Sequence, residues 1–247
     1  MGAAGESATL KSRLGTLATH NRCAAAYLCA RWIAFLAGIT ALAVGLALVI
    51  RADLGAGPWT VFHLGLSRIT GLSVGRVTQV VGLLVIGAAA VLLRRRPGIG
   101  TVVNMILIGF IVDASLYLIG PQSSLLPRAL YLVAGIVLTG VGTAVYINAD
   151  LGEGPRDCFM MGLHAVTRWS VRAIRTSMEV LVLLIGAALG GRVGIGTIAA
   201  ALLTGVIIQA AMGVTRDLTP WRRSTQAVER VILEDGLEQT EEQSGTP

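Results

Sequence analysis

Four long stretches of the chain carry no charged residue, and each is long enough to cross a lipid bilayer as a helix. A transmembrane helix needs about 20 mainly apolar residues to cross a hydrocarbon layer about 30 Å thick. The pattern therefore predicts a membrane protein with several spans. The uncharged stretches lie at residues 32–50, 77–93, 129–149 and 193–215.

Two other uncharged segments, 54–67 and 158–167, are shorter. At 1.5 Å per residue they would cover about 21 Å and 15 Å as helices, which is too little to cross the bilayer. We predict half-helices or interfacial helices there. One further span is expected to open at Pro97 and to fade near Leu118.

A glycine-rich element occurs twice in the chain. Arg-Ala-Asp-Leu-Gly-Ala-Gly-Pro-Trp at 51–59 returns as Asn-Ala-Asp-Leu-Gly-Glu-Gly-Pro-Arg at 148–156, and half of the positions in 51–70 match those in 148–167. This agreement predicts a duplicated, all-α, polytopic transmembrane helical bundle. The predicted parts are a cytoplasmic lead-in at 1–30, repeats at 31–118 and 128–214, and a polar, acidic tail at 215–247.

The number of spans depends on the two half-helices. If they do not cross, the protein has about six spans, and three spans in each repeat turn the second repeat upside down. If they cross, it has eight spans and parallel repeats. The arginine triplet at 94–96 and the short segments favour six, whereas the alignment of Arg31 with Arg128 favours eight. The distribution of basic residues barely separates the two models.

Composition agrees with a membrane protein and excludes several other classes. Hydrophobic residues make up 54% of the chain and charged residues 14%, against about a quarter in soluble domains. The net charge of +6 fits arginine-rich cytoplasmic loops, and no aromatic residues interleave the basic clusters as a nucleic-acid site would require. No cofactor or metal motif is present. We predict a membrane protein with both termini in the cytoplasm.

The duplicated turns are the candidate substrate site. Their glycines permit left-handed backbone, and their prolines suit the first position of a helix, so each turn delivers a helix N-terminus. That N-terminus either is capped by its own aspartate or forms half of a polar site with its copy. The candidate residues are Asp53, Gly55, Gly57 and Pro58 in the first turn and Asp150, Gly152, Gly154 and Pro155 in the second.

Few other polar residues fall inside the predicted spans. Asp113 aligns with the neutral Gln209, which argues against a symmetric proton site. Glu179 follows Arg175 by one helical turn, so we expect an interfacial ion pair. His63 and His164 do not align with each other, and we expect both to be packed or interfacial side chains.

The sequence Gly71-Leu-Ser73-Val-Gly75 matches the nucleophile motif of serine hydrolases, and intramembrane serine proteases also place such a serine at a helix start. Those enzymes need a histidine on a neighbouring span, and no predicted span holds one. The aligned Ser170 has lost both glycines. We therefore expect both serines to cap helices and predict that the protein is not an enzyme.

These motifs resemble the YczE-like group of bacterial integral membrane proteins, which is related to the YitT-type proteins. The resemblance rests on the two Asp-Leu-Gly-x-Gly-Pro turns, the Gly-Leu-Ser-Val-Gly segment and Pro97-Gly-Ile-Gly-Thr101, and it extends from about Arg31 to Val214. It implies the bacterial plasma membrane and assigns no substrate or catalytic residue.

The sequence favours a small secondary transporter or permease-like protein with a site formed by the two glycine-rich turns. Its partners would be the lipid bilayer and a small molecule or ion, with no cofactor and no nucleic acid. The alternative is a non-catalytic membrane protein that binds or regulates a partner, to which the acidic tail points. An intramembrane serine hydrolase is the least favoured reading.

Overall fold

The computed structural model describes residues 3–94, 97–152 and 154–217, and these residues form helices and connecting turns. Most of the predicted acidic tail and two arginines of the 94–96 triplet lie outside the described residues. The described helices are α1 (Ala3–Ala52), α2 (Pro58–Thr70), α3 (Val74–Leu92), α4 (Ile99–Leu118), α5 (Leu125–Asn148), α6 (Pro155–Thr167), α7 (Val171–Ala188) and α8 (Ile195–Asp217).

Five of the described helices contain segments long and apolar enough to cross a membrane. These segments are Ala26–Ala52 of α1, the whole of α3, α4 and α5, and Ile195–Thr215 of α8. The prediction of an all-helical, polytopic membrane protein is confirmed. The first span begins at Ala26 rather than at the predicted Trp32, because residues 26–30 are also mainly apolar.

Helix α7 corresponds to the sixth span that the repeat predicts. It is not among the helices that are apolar enough to cross a membrane. It has 18 residues, three of which, Arg172, Arg175 and Glu179, are charged. Its copy in the first half, α3, carries a single charge, Arg76, in its 19 residues. The difference in the two helices therefore lies in their polarity rather than in their length.

Helices α1 and α5 form the centre of the molecule and run antiparallel. A Cβ on Gly38 would lie 2.6 Å from the backbone nitrogen of Tyr146, and one on Gly45 would lie 2.6 Å from that of Thr139. Only glycine lets the two backbones approach so closely, which is the usual way that membrane helices pack.

Helices α4 and α8 flank this pair, each parallel to the long helix of its own half. Arg51, at the end of α1, donates a hydrogen bond to the carbonyl of Leu116 at the end of α4. Asn148, at the end of α5, donates to the hydroxyl of Thr215 on α8 over 2.6 Å. Large apolar side chains on the outer faces are exposed, as a bilayer requires, for example those of Phe110 and Leu202.

The short helices α2 and α6 cross over to the other half of the chain. α2 packs along α7, where a Cβ on Gly65 would lie 2.6 Å from the carbonyl oxygen of Gly186, and α6 packs along α3. The C-terminal end of α2 is held by Arg68, which donates to the carbonyl of Gly190 just after α7 over 2.8 Å. Each short helix therefore starts near the middle of the bundle and ends beside the opposite half.

Candidate functional site

Asp53 and Asp150 do not cap the short helices. Each adopts a left-handed backbone conformation, with φ of 52° and 55°, and each is bound by an arginine from the other half of the chain. Arg128 donates to the carbonyls of Ala52 and Asp53 and lies 3.4 Å from the Asp53 carboxylate.

The second turn repeats this arrangement with the halves exchanged. Arg31 donates to the carbonyls of Ala149 and Asp150, and its guanidinium lies 3.6 Å from the Asp150 carboxylate. Asp53 has an additional partner in Arg192. These crossed arginine contacts place Asp53 and Asp150 at opposite ends of the α1 and α5 pair, where they join the two halves.

Gly55 and Gly152 are required for backbone packing. Gly55 has a φ of 101°, and a Cβ there would lie 2.5 Å from the nitrogen of Gly194. The neighbouring Leu54 carbonyl accepts a hydrogen bond from the N–H of Gly196 over 2.8 Å. Gly152 contacts the start of α4 in the same way, with a Cβ 2.9 Å from the nitrogen of Thr101. These two glycines therefore seat each turn against the Gly-Ile-Gly-Thr start of a long helix.

The remaining predicted residues, Gly57, Pro58, Gly154 and Pro155, line a central cavity of about 440 Å³. Each glycine is the residue before its helix, and each proline is the first helical residue, as predicted. Neither helix start has a side-chain cap. The duplicated element thus has two parts with different positions, because its aspartates lie at the ends of the bundle and its Gly-Pro pairs lie at the cavity.

The N-termini of α2 and α6 meet about midway between the two ends of the central pair. The guanidinium carbon of Arg156 lies 4.5 Å from the centre of the Trp59 ring. The segment of α1 from Arg31 to Ala52 is about 32 Å long. Each aspartate is six positions from Trp59 or Arg156 along the chain, and such a segment reaches at most about 20 Å. Both turns must therefore run inward from opposite ends.

Most of the cavity wall is apolar and comes from both halves. Single polar groups are placed among these apolar side chains, including Asn104, Thr143 and Tyr146. This combination of an apolar surface with a few polar groups is typical of small-molecule sites. Apolar lining residues include Leu46, Ile108, Ile136, Met160 and Ile208, which lie on α1, α4, α5, α6 and α8.

The two helix N-termini at the cavity differ in charge. The first turn of α2 contains no acidic residue, whereas that of α6 contains Asp157. The positive end of the α6 dipole therefore has a carboxylate beside it, and that of α2 does not. The Arg156 guanidinium also faces the cavity, and it belongs to none of the four ion pairs among the described residues.

His63 adds a polar atom without a partner to the cavity wall. The Thr78 hydroxyl lies 2.9 Å from the carbonyl of Val74 and 3.1 Å from Nδ1 of His63. When the hydroxyl donates to Val74, it accepts from Nδ1–H of His63, and Nε2 is then an acceptor. His63 is only 5% exposed, and Nε2 has no hydrogen-bond partner among the described residues.

The other polar residues named from the sequence have local partners. Arg175 and Glu179 form the expected ion pair, at 3.1 Å, and both line the cavity. Nδ1 of His164 lies 2.6 Å from the carbonyl oxygen of Trp169, at the end of α6. Among the described residues there is no group of acidic, histidine and cysteine side chains that could hold a metal ion.

Ser73 and Ser170 cap α3 and α7, as predicted. Their hydroxyl oxygens accept hydrogen bonds from the N–H groups of Arg76 and Ala173 over 3.3 Å and 3.2 Å. Ser73 also donates to Asp113 over 2.6 Å, and the second carboxylate oxygen of Asp113 accepts from the N–H of Gly75 over 2.7 Å. The aligned serines therefore share the capping role, and only Ser73 has a carboxylate partner.

Trp59 and Arg156 are the site residues that sequence reasoning missed. They occupy aligned positions, one after each proline, and their difference was visible only as a mismatch between the two copies. The difference between tryptophan and arginine directly after two identical Gly-Pro pairs could have identified both residues. The structure shows that the two side chains stack on each other at the cavity.

Comparisons with known proteins agree with the membrane character of this fold. Residues 29–213 match the model of a family of unknown function, DUF6198. The chain is 37% identical to the "Uncharacterized membrane protein YczE" of Bacillus subtilis over 183 residues, which cover 74% of this chain and 85% of the relative. It is 27% identical to "Uncharacterized protein YyaS" of the same organism over 178 residues, or 71% and 89% of the two chains.

A third relative comes from a different bacterium. The chain is 34% identical to an "Uncharacterized protein" of Haemophilus influenzae over 175 residues, which cover 69% of this chain and 78% of the relative. No solved structure matches the chain. The matched residues include both turns and all the side chains that line the cavity.

Proposed function

We propose that this chain is a small permease-like protein of the bacterial plasma membrane. The chain belongs to the DUF6198 family of unknown function and resembles the YczE-like membrane proteins, as the sequence indicated. Its substrate site would be the central cavity. The observation that carries the proposal is the meeting of two uncapped helix N-termini, which enter from opposite ends of the α1 and α5 pair. Discontinuous helices that meet between repeats are the usual site geometry of secondary transporters.

Six crossings with inverted repeats agree best with the helix directions. α1 and α5 start the two aligned halves and run antiparallel, so an odd number of crossings separates their starts. In this arrangement α7 is the sixth span in spite of its three charges, because Arg175 and Glu179 pair with each other and face the cavity. The positive-inside rule then places both termini and the arginine triplet in the cytoplasm.

A matched pair of single cysteines tests the topology. Thr70 and Thr167 are aligned, exposed, and end α2 and α6. In a chain whose three native cysteines are replaced, we expect Thr70→Cys to react with a membrane-impermeant maleimide from the outside of the cell. Thr167→Cys should react only after the cells are opened. Reaction of both from one side would establish parallel repeats and refute the inverted model.

Access to the cavity tests the permease proposal itself. Thr143 lies in the C-terminal third of α5 and lines the cavity, whereas Leu202 on α8 has an exposed side chain on the outer face. We expect Thr143→Cys to react with a small charged methanethiosulfonate in right-side-out and in inside-out vesicles, because a transport site is reached alternately from both faces. Leu202→Cys is the control and should react from neither side. Reaction of Thr143→Cys from one side alone, or no reaction, would contradict transport through this cavity.

A further inference from the structure

The cavity lining carries two arginines, Arg156 and Arg175, and two carboxylates, Asp157 and Glu179. Of the acidic lining residues, Glu179 is paired with Arg175, and Asp157 lies in the first turn of α6 beside the positive end of that helix. The N-terminus of α2 has neither a capping side chain nor an acidic residue. Arg156 lies against Trp59 in the first turn of α2 and interacts electrostatically with the neighbouring Asp157, without a close ion-pair contact.

His63 lies one helical turn beyond Trp59 and Thr60 on α2 and lines the same cavity. Its Nε2 has no protein partner, and it is an acceptor when the Thr78 hydroxyl donates to Val74 and accepts from Nδ1–H. A buried acceptor that makes no hydrogen bond is destabilising, and a bound donor would remove this cost. A ligand that donates one hydrogen bond would satisfy this nitrogen.

We propose that the cavity binds a small organic monoanion with an apolar body and one hydroxyl or N–H group. Its carboxylate would accept hydrogen bonds from Arg156 and the free N–H groups at the start of α2, and its donor group would bind Nε2 of His63. The apolar lining from α1, α4 and α5 receives the rest of the molecule. This substrate class rests on the proposed permease function, since it assigns a ligand to the same cavity.

Three compounds of nearly equal shape test the ligand class. Mandelate has the carboxylate, the hydroxyl and an apolar ring; mandelamide lacks the charge; phenylacetate lacks the hydroxyl. Their affinities for the purified full-length chain can be compared by the rise in unfolding temperature in mild detergent, since a ligand that binds only the folded state stabilises it. We expect mandelate to bind with at least about tenfold higher affinity than mandelamide and several-fold higher affinity than phenylacetate.

Variants assign these preferences to residues. Arg156→Gln should weaken mandelate binding about tenfold or more and abolish the preference over mandelamide. His63→Leu should abolish the preference over phenylacetate and retain that for the anion. Arg172→Gln is the matched control, because Arg172 is exposed on α7 outside the cavity lining. If Arg156→Gln does not fold, Arg156→Lys and the three-compound series on the native chain still decide the result.

The outcomes separate this inference from the permease proposal. Equal binding of mandelate and mandelamide, or binding of none of the three compounds, overturns the monoanion proposal. A preference for mandelate that Arg156→Gln leaves unchanged overturns the assigned site. If Thr143→Cys still reacts from both membrane faces, the permease proposal stands in each of these cases. Selective mandelate binding with reaction from one face alone would support the anion site and refute transport.

Discussion

The pair α3 and α4 in the first half is tightly packed, whereas the corresponding pair α7 and α8 in the second half is separated. A Cβ on Gly109 of α4 would lie 2.5 Å from the Gln79 side chain and from the carbonyl of Gly75 on α3. The aligned Gly205 of α8 has no atom within 4 Å of that position. α7 and α8 make at most marginal contact along their length.

The residues that differ between the halves explain the separation. Where α3 has Gly75 and Gly82, the aligned positions of α7 carry Arg172 and Glu179, so α7 lacks the two glycines at which α3 approaches α4 closely. Asp113, which binds Ser73 and Gly75 across the first pair, is aligned with Gln209. The aligned helix pairs thus differ at a few side chains, and α3 and α4 are in close contact whereas α7 and α8 are separated.

The open side of the second half continues into the central cavity. Glu179 of α7 and Gly205 of α8 both line the cavity, so the space between these helices belongs to it. α8 is also the least buried of the five apolar spans, with 17% of its residues buried against 33–39% in the others. The cavity therefore extends between α7 and α8, where the second pair is open.

The largest expected difference comes from adding one methyl group to each aligned glycine. Gly109→Ala should lower the free energy of unfolding by about 1–3 kcal/mol, because the methyl group would overlap with Gln79 and Gly75. Gly205→Ala should leave stability unchanged or raise it by up to about 1 kcal/mol, since alanine favours helix. Unfolding by sodium dodecyl sulfate in mixed micelles measures both. Equal effects would mean that the two pairs are equally packed.

A smaller difference is expected between the two helix caps. Ser170→Ala removes one cap and should cost about 1 kcal/mol. Ser73→Ala also removes the donor to Asp113 and should cost about 2 kcal/mol. The same unfolding titration compares the two variants, with Ser115→Ala in α4 as a control for loss of a serine outside both caps. A larger cost for Ser170→Ala would contradict the geometry of the Asp113 contact.

The smallest difference is expected between the two aspartates of the turns. Asn tolerates the left-handed backbone at both positions, so the substitution removes only charge. Asp53→Asn loses ion pairs with Arg128 and Arg192 and should cost about 1 kcal/mol. Asp150 is 62% exposed and is paired with Arg31 alone among the described residues, so Asp150→Asn should cost about 0.5 kcal/mol or less. High salt should reduce both effects.

The local plan of the fold could be predicted from the sequence. Segment length identified the two short helices, and they begin at Pro58 and Pro155, as proline at the first helical position predicts. The serine caps and the Arg175 to Glu179 pair also followed from local spacing. Such features depend on residues within one or two helical turns, where sequence patterns determine structure directly.

The composition of the site could not be predicted, because it depends on contacts between distant parts of the chain. The Asp-Leu-Gly-x-Gly-Pro element suggested that its aspartates and glycines would act together. Instead, arginines 75 and 119 residues away hold the aspartates, and the helix starts extend to the cavity. The alignment of Arg31 with Arg128 favoured parallel repeats in the sequence, yet the structure uses these arginines across an antiparallel pair.

The crossed arginines also bear on how the chain is made. The carbonyls at the end of α1 are bound by Arg128, which is synthesised 76 residues after Ala52. This contact can therefore form only after the second half has been synthesised. The first half has no other arginine that takes this place among its described contacts. The end of α1 in the first half therefore obtains its arginine partner only when the second half is present.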